Sequence, residues 1–124
     1  MKIERLNYSF DYSDEWIKEL PLPKIPPNKE NYLFEPSRDV FLINLSDICP
    51  NIRGNDIPIF GDKEKTFKII RGFENGDFIP PVNVIDCNSD NYKYKLTDGS
   101  KRLHCSVLVG FTKIPVMYSE SYLS

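Results

Sequence analysis

The apolar positions of this chain change period along its length, and each change marks an element. Val40-Phe41-Leu42-Ile43-Asn44-Leu45 is a short, apolar, partly β-branched run, the pattern of a buried strand. Between Lys63 and Glu74 the spacing lengthens. Phe67, Ile70 and Phe73 recur with Ile69 beside them, which predicts a helix, and Gly76 supplies its stop. Pro80 and Pro81 reset the chain before Val82-Asn83-Val84-Ile85-Asp86, a second strand, and Asn88 to Asn91 reads as a turn. Tyr92, Tyr94 and Leu96 then alternate with Lys93 and Lys95, the period-two signature of a strand with one wet face that returns as a hairpin. Leu103, Val107, Leu108 and Phe111 predict an amphipathic helix ending at Gly110, and Ile114-Pro115-Val116-Met117-Tyr118 is a last strand.

Upstream the pattern is different. Pro21, Pro23, Pro26, Pro27 and Pro36 remove backbone donors and fix φ, so residues 20–35 read as an extended, polyproline-like arm. Before it, Ser13 can cap a short helix, with Asp14 and Glu15 in its first turn and Trp16, Ile17 and Leu20 on one face. Pro50 to Gly61, rich in Asn, Asp, Gly and Pro, reads as a loop. The chain therefore divides into an N-terminal helix and Pro-rich arm, residues 1–37, and a folded unit, residues 38–124. The expected class is α/β (α+β), one small domain with a mixed sheet and flanking helices.

Composition narrows the function. A formal charge of −2 excludes a broad polycationic surface, though Lys93, Lys95, Lys101, Arg102 and Lys113 gather where acids are few. Cys49, Cys87 and Cys105 are odd in number and widely spaced, so neither a disulfide framework nor a zinc site is expected. His104 is the sole histidine, and no metal cluster is predicted. Met1 to Phe10 carries no signal-peptide pattern and no run is long enough to span a membrane, so a reducing cytosol is the expected compartment.

The chemistry concentrates at Asp98-Gly99-Ser100-Lys101-Arg102. A strand that turns at once into a helix leaves orphan N–H groups at the helix start, where the dipole favours an anion. Gly99 permits the turn and the close approach of an oxygen. Ser100 offers a hydroxyl, Lys101 a mobile charge, and Arg102 a planar fork for two phosphate oxygens. The plainer alternative makes Asp98 and Ser100 caps and Arg102 an ion-paired surface residue. His104, four residues after Ser100, shares its helical face and is a candidate acid or base, against the simpler reading of a packed core histidine. Asp98 and Asp86 are the carboxylates that position suggests for catalysis.

These pieces, in order, resemble the ParB/sulfiredoxin superfamily. The helix ending at Gly76, Pro80-Pro81-Val82-Asn83-Val84, Thr97-Asp98-Gly99-Ser100-Lys101-Arg102-Leu103-His104, and Gly110 followed by Ile114-Pro115-Val116 carry the likeness over roughly residues 40–118. The resemblance implies a nucleotide held by its phosphates at Gly99, Ser100, Lys101 and Arg102. It implies an opposite wall from Gly76 to Pro81, with Arg71 contributing. ATP or CTP is the ligand so implied, and Mg²⁺ would accompany any NTPase or phosphotransfer activity. Sulfiredoxin has a catalytic cysteine where this chain has Ser100 and a histidine where it has Lys101, so its redox repair is not expected. Partition proteins carry a helix-turn-helix and a dimerisation domain after this unit. Neither follows before Ser124, so a complete partition protein is not expected either.

Two other functions fit the same residues. The fold could serve as a noncatalytic protein-interaction module that binds a protein partner through Trp16, Tyr32 and Phe34. A third reading, which the net charge of −2 does not favour, is a small nucleic-acid binder whose Gly99–Arg102 turn holds a backbone phosphate. No membrane partner is expected.

Overall fold

Helix α2 (Lys63–Asn75) begins where the sequence provides an acceptor, because the Asp62 carboxylate receives the N–H groups of Glu64 and Lys65. It ends at Gly76, whose left-handed backbone (φ 74°) closes the last turn. The computed structural model in which these details are seen describes residues 1–23, 29–50 and 59–119. Most of the loop predicted from Pro50 to Gly61, together with Pro26 and Pro27 of the arm, lies outside those residues.

The other elements are β1 (Lys2–Arg5), β2 (Tyr8–Asp11), α1 (Asp14–Glu19), β3 (Phe41–Asn44), β4 (Ile48–Cys49), β5 (Val82–Asp86), β6 (Tyr94–Asp98), α3 (Ser100–Val109) and β7 (Lys113–Tyr118). Five strands form one mixed sheet in the order β3-β7-β5-β6-β4. β5 runs parallel to β7 and antiparallel to β6, so the predicted hairpin forms. The register aligns Ile43, Ile114, Val116, Val82, Val84 and Leu96 on one face, and all six are buried. Helix α3 packs on β5 of this sheet, and α2 packs on α3. Among the described residues no helix is long and apolar enough to cross a membrane.

Three expectations need correction. The run at Val40–Leu45 is an edge strand, not a buried one: among the described residues β3 pairs only with β7, and Leu42 points to solvent. Helix α3 is not amphipathic, since Leu103 through Val109 are all buried. The reason is the third difference, a β1–β2 hairpin at the start of the chain that pattern reading does not reveal. Its Tyr8 and Phe10 rings meet the His104 ring edge-on, and the Arg5 guanidinium donates to the carbonyls of Leu108 (2.8 Å) and Val107 (3.3 Å). The hairpin thus covers the side of α3 that faces away from the sheet, and Arg5 closes its C-terminus. Arg5→Ala should lower stability by about 1–2 kcal/mol, the worth of a charged donor on terminal carbonyls. A chemical-denaturation midpoint that does not move would remove this role.

The arm packs on the domain. Tyr32 is buried, its ring stacked on Phe73 and its hydroxyl donating to the Pro80 carbonyl at 2.6 Å. Trp16 meets Tyr12 and Phe67 edge-on, and Lys63 ties α2 to Glu19 of α1. Ser13 occupies the N-cap position of α1, but its side chain makes no capping bond.

Burial also fixes the alkaline limit of the fold. Desolvation pushes the Tyr8 and Tyr32 phenols and the Cys105 thiol well up, and the Tyr12 phenol up to about 12. In each case the fold holds the neutral form more firmly than the unfolded chain does. Their contribution is therefore fully present below the ordinary values, 9.0 for the thiol and 10.0 for the phenols, and is lost as pH rises beyond them. The melting temperature should hold level to about pH 9 and fall steeply above about pH 10. A level profile through the whole alkaline range would contradict this.

Candidate functional site

Strand β6 leaves the sheet at Asp98 and enters α3 through one residue. Gly99 makes that turn with φ +103°, and a Cβ there would lie 2.6 Å from Val82 Cγ1 and 2.9 Å from Val82 Cβ. Only glycine fits both the backbone and the space. Because Gly99 is the N-cap, no side-chain oxygen caps the first N–H groups of α3. Ser100 and Lys101 follow, both half-buried.

This helix start opens on a cavity of about 760 Å³. One wall is Asp98 to Arg102, and the opposite one is the loop Asp77-Phe78-Ile79-Pro80. Helix α2 contributes Lys65, Lys68, Ile69 and Gly72, while Ile59, Phe60 and Gly61 complete the lining. Gly72 lets the loop lie close: a Cβ there would stand 3.0 Å from Ile79 Cδ1. Lys65, Lys68, Lys101 and Arg102 face Asp77 and Asp98, so the cavity is net cationic in a chain of net charge −2.

The structure brings together Gly99, Ser100, Lys101 and Arg102, with Asp98 beside them. Arg102 turns its fork inward. Its Nη1 donates to the carbonyls of Pro81 (3.0 Å) and Pro80 (3.3 Å), and its Nη2 lies 3.5 Å from the Asp98 carboxylate. It therefore fastens one wall to the other. Gly76 ends α2 and does not line the cavity, and Pro81 takes part through its carbonyl alone. Arg71 also lies outside it, over the Phe67 ring at 5.6 Å.

The two further catalytic candidates sit elsewhere. His104 is 3% exposed, edge-on to Tyr8, Phe10 and Phe60. Its Nδ1 lies 2.7 Å from the Ser100 carbonyl, which can only accept, so Nδ1 carries a proton. It is a core histidine. Asp86 ends β5 at the opposite end from Val82, where the Tyr118 hydroxyl donates to it. Cys105 is wholly buried and no cysteine lines the cavity among the described residues. Among them, too, no cluster of three or more His, Cys, Asp or Glu is placed to hold a metal.

Sequence reading missed Lys65 and Lys68. Their signal is the spacing Lys65, Lys68, Gly72 along α2, a polar stripe opposite the apolar one that announces the helix.

No family model matches the chain, and no curated protein matches it. Among solved structures, sulfiredoxin from Arabidopsis thaliana superposes with a TM-score of 0.50 at 17% identity, over 64% of this chain and 83% of that one. The fold is sulfiredoxin-like. At that identity the likeness extends to architecture: a curled mixed sheet, with three helices in the chain.

Proposed function

We propose that the cavity at the start of α3 binds a nucleotide through its phosphates, as a ParB-like domain would. The observation that carries this reading is the uncapped, glycine-turned start of α3 opening on a large cavity that holds Lys65, Lys68 and Lys101. Phosphate oxygens would take the first N–H groups of α3 and the Ser100 hydroxyl, with the three lysines neutralising their charge. The apolar lining from Ile59, Phe60, Ile69 and Ile79 would receive the base or sugar. The reading is one of binding. Asp77 and Asp98 are the only carboxylates among the described lining residues, and Asp98 is paired with Arg102.

The test is thermal stability with ATP, ADP, CTP, GTP and inorganic phosphate, each with and without Mg²⁺. A ligand that binds only the folded state adds about 2.7 kcal/mol at a hundredfold excess over its dissociation constant, a shift of several degrees. Lys101→Ala should reduce the shift about tenfold in ligand concentration, as expected for one lost charged contact. A well-folded protein unmoved by every member of the panel at millimolar concentration would end this reading.

A further inference from the structure

Beside the first cavity lies a second, of about 480 Å³, which shares Lys65, Lys68, Gly72 and Asp77 with it. The remaining lining is Glu64, Arg71 and Asn75, all from the solvent side of α2. Lys65, Lys68 and Arg71 stand three residues apart, a row of about 9 Å at 1.5 Å rise per residue. All three are exposed, and among the described residues none is in a salt bridge. Arg71 rests its guanidinium over the Phe67 ring, which holds it against the helix. With Lys101 and Arg102 this row outnumbers the acids of both cavities, Glu64, Asp77 and Asp98.

A single nucleotide needs only the first cavity. A cationic row leading out of it matches a ligand whose phosphates continue. Phe78, in the wall of the first cavity, is 67% exposed and offers an aromatic face to solvent. Phosphate-tracking cations beside an exposed aromatic platform are the two parts of a site for unpaired nucleotides. A duplex keeps its bases stacked on one another, so the platform favours a single strand.

We propose that the two cavities form one track for single-stranded nucleic acid. One nucleotide sits at the start of α3, the following phosphates run along Lys68 and Arg71, and Phe78 stacks a base. This rests on the nucleotide reading above and extends it to a polymer.

The experiment uses the full chain and a fluorescein-labelled oligothymidine of about ten nucleotides, within the site size of single-strand-binding grooves. Fluorescence anisotropy would follow binding across a salt series, with the nucleotide panel run in parallel. Three phosphate contacts predict a log–log salt slope of about −2, or a loss of roughly twentyfold between 50 and 200 mM salt. Arg71→Glu, on an exposed side chain, should weaken the strand at least tenfold and flatten the slope, and Phe78→Ala should weaken it severalfold. Melting temperatures of both variants verify that they fold. Less than a twofold effect of Arg71→Glu in a folded variant overturns the track, as does equal affinity for a duplex of the same length. A nucleotide shift without strand binding overturns the track and leaves the nucleotide reading standing. Absence of both overturns the two together.

Discussion

Gly99→Ala should destabilise the protein by about 2–4 kcal/mol, or on the order of 10 °C in melting temperature for a domain of this size. Two costs add. A Cβ-bearing residue is strained at φ +103°, and the new methyl meets Val82 Cγ1 at 2.6 Å and Arg102 Nη2 at 3.1 Å. Val82 is wholly buried in β5 and cannot withdraw. The strand-to-helix turn must therefore open or the sheet must shift, and either moves the first N–H groups of α3. Nucleotide binding should be lost with the stability. A melting temperature within about two degrees of the parent would mean that the turn tolerates a side chain, and that the geometry drawn for the site is wrong.

Arg102→Ala carries the second large effect, and its signature differs from that of Lys101→Ala. The Arg102 side chain, 20% exposed, holds the carbonyls of Pro80 and Pro81 and pairs with Asp98. Removing it leaves Pro80 with the Tyr32 hydroxyl but takes the donor from the Pro81 carbonyl at the join between the walls, at an expected cost of about 2 kcal/mol. The proposed nucleotide shift should vanish because the cavity loses its shape. Lys101→Ala should weaken the ligand and leave the melting temperature of the free protein within about one degree, because the half-buried Lys101 side chain is in no salt bridge among the described residues. Arg102→Lys keeps the charge but cannot reach the carbonyls with one nitrogen and the Asp98 carboxylate with another, so it should recover less than half of the lost stability. If Arg102→Ala melts like the parent, Arg102 does not fasten the walls.

The second half of the fold was legible because it is punctuated. Gly76, Pro80-Pro81, Gly99 and Gly110 stand at element boundaries, and α2, β5, β6, α3 and β7 fall between them within a residue or two of expectation. The N-terminal hairpin carries no such mark. Its two-residue turn is Leu6-Asn7, both at positive φ (53° and 78°), where Asn-Gly or Asp-Gly would have advertised it. Missing the hairpin also hid the burial of α3. His104 and Ser106 look like the wet side of a helix. Both instead bond to carbonyls four residues back, His104 to Ser100 and Ser106 to Arg102, and so can face a covering layer. The apolar run at Val40–Leu45 says nothing about how many neighbours a strand has, which is why β3 lies at an edge. For the site, Gly99 to Arg102 were contiguous and readable. Lys65 and Lys68 were not, since only the three-dimensional approach of α2 to α3 brings them to the same cavity.

The burial of α3 on every side has a consequence for how the molecule opens. Its amides from Leu103 to Val109 have no route to solvent through a local fluctuation, so they should exchange with deuterium only when the whole domain unfolds. Whatever binds at the start of that helix then slows exchange from Leu103 to Val109 by one common factor, set by concentration and affinity alone. The far turn at Val109, sealed by Arg5, would report occupancy as faithfully as Leu103 does.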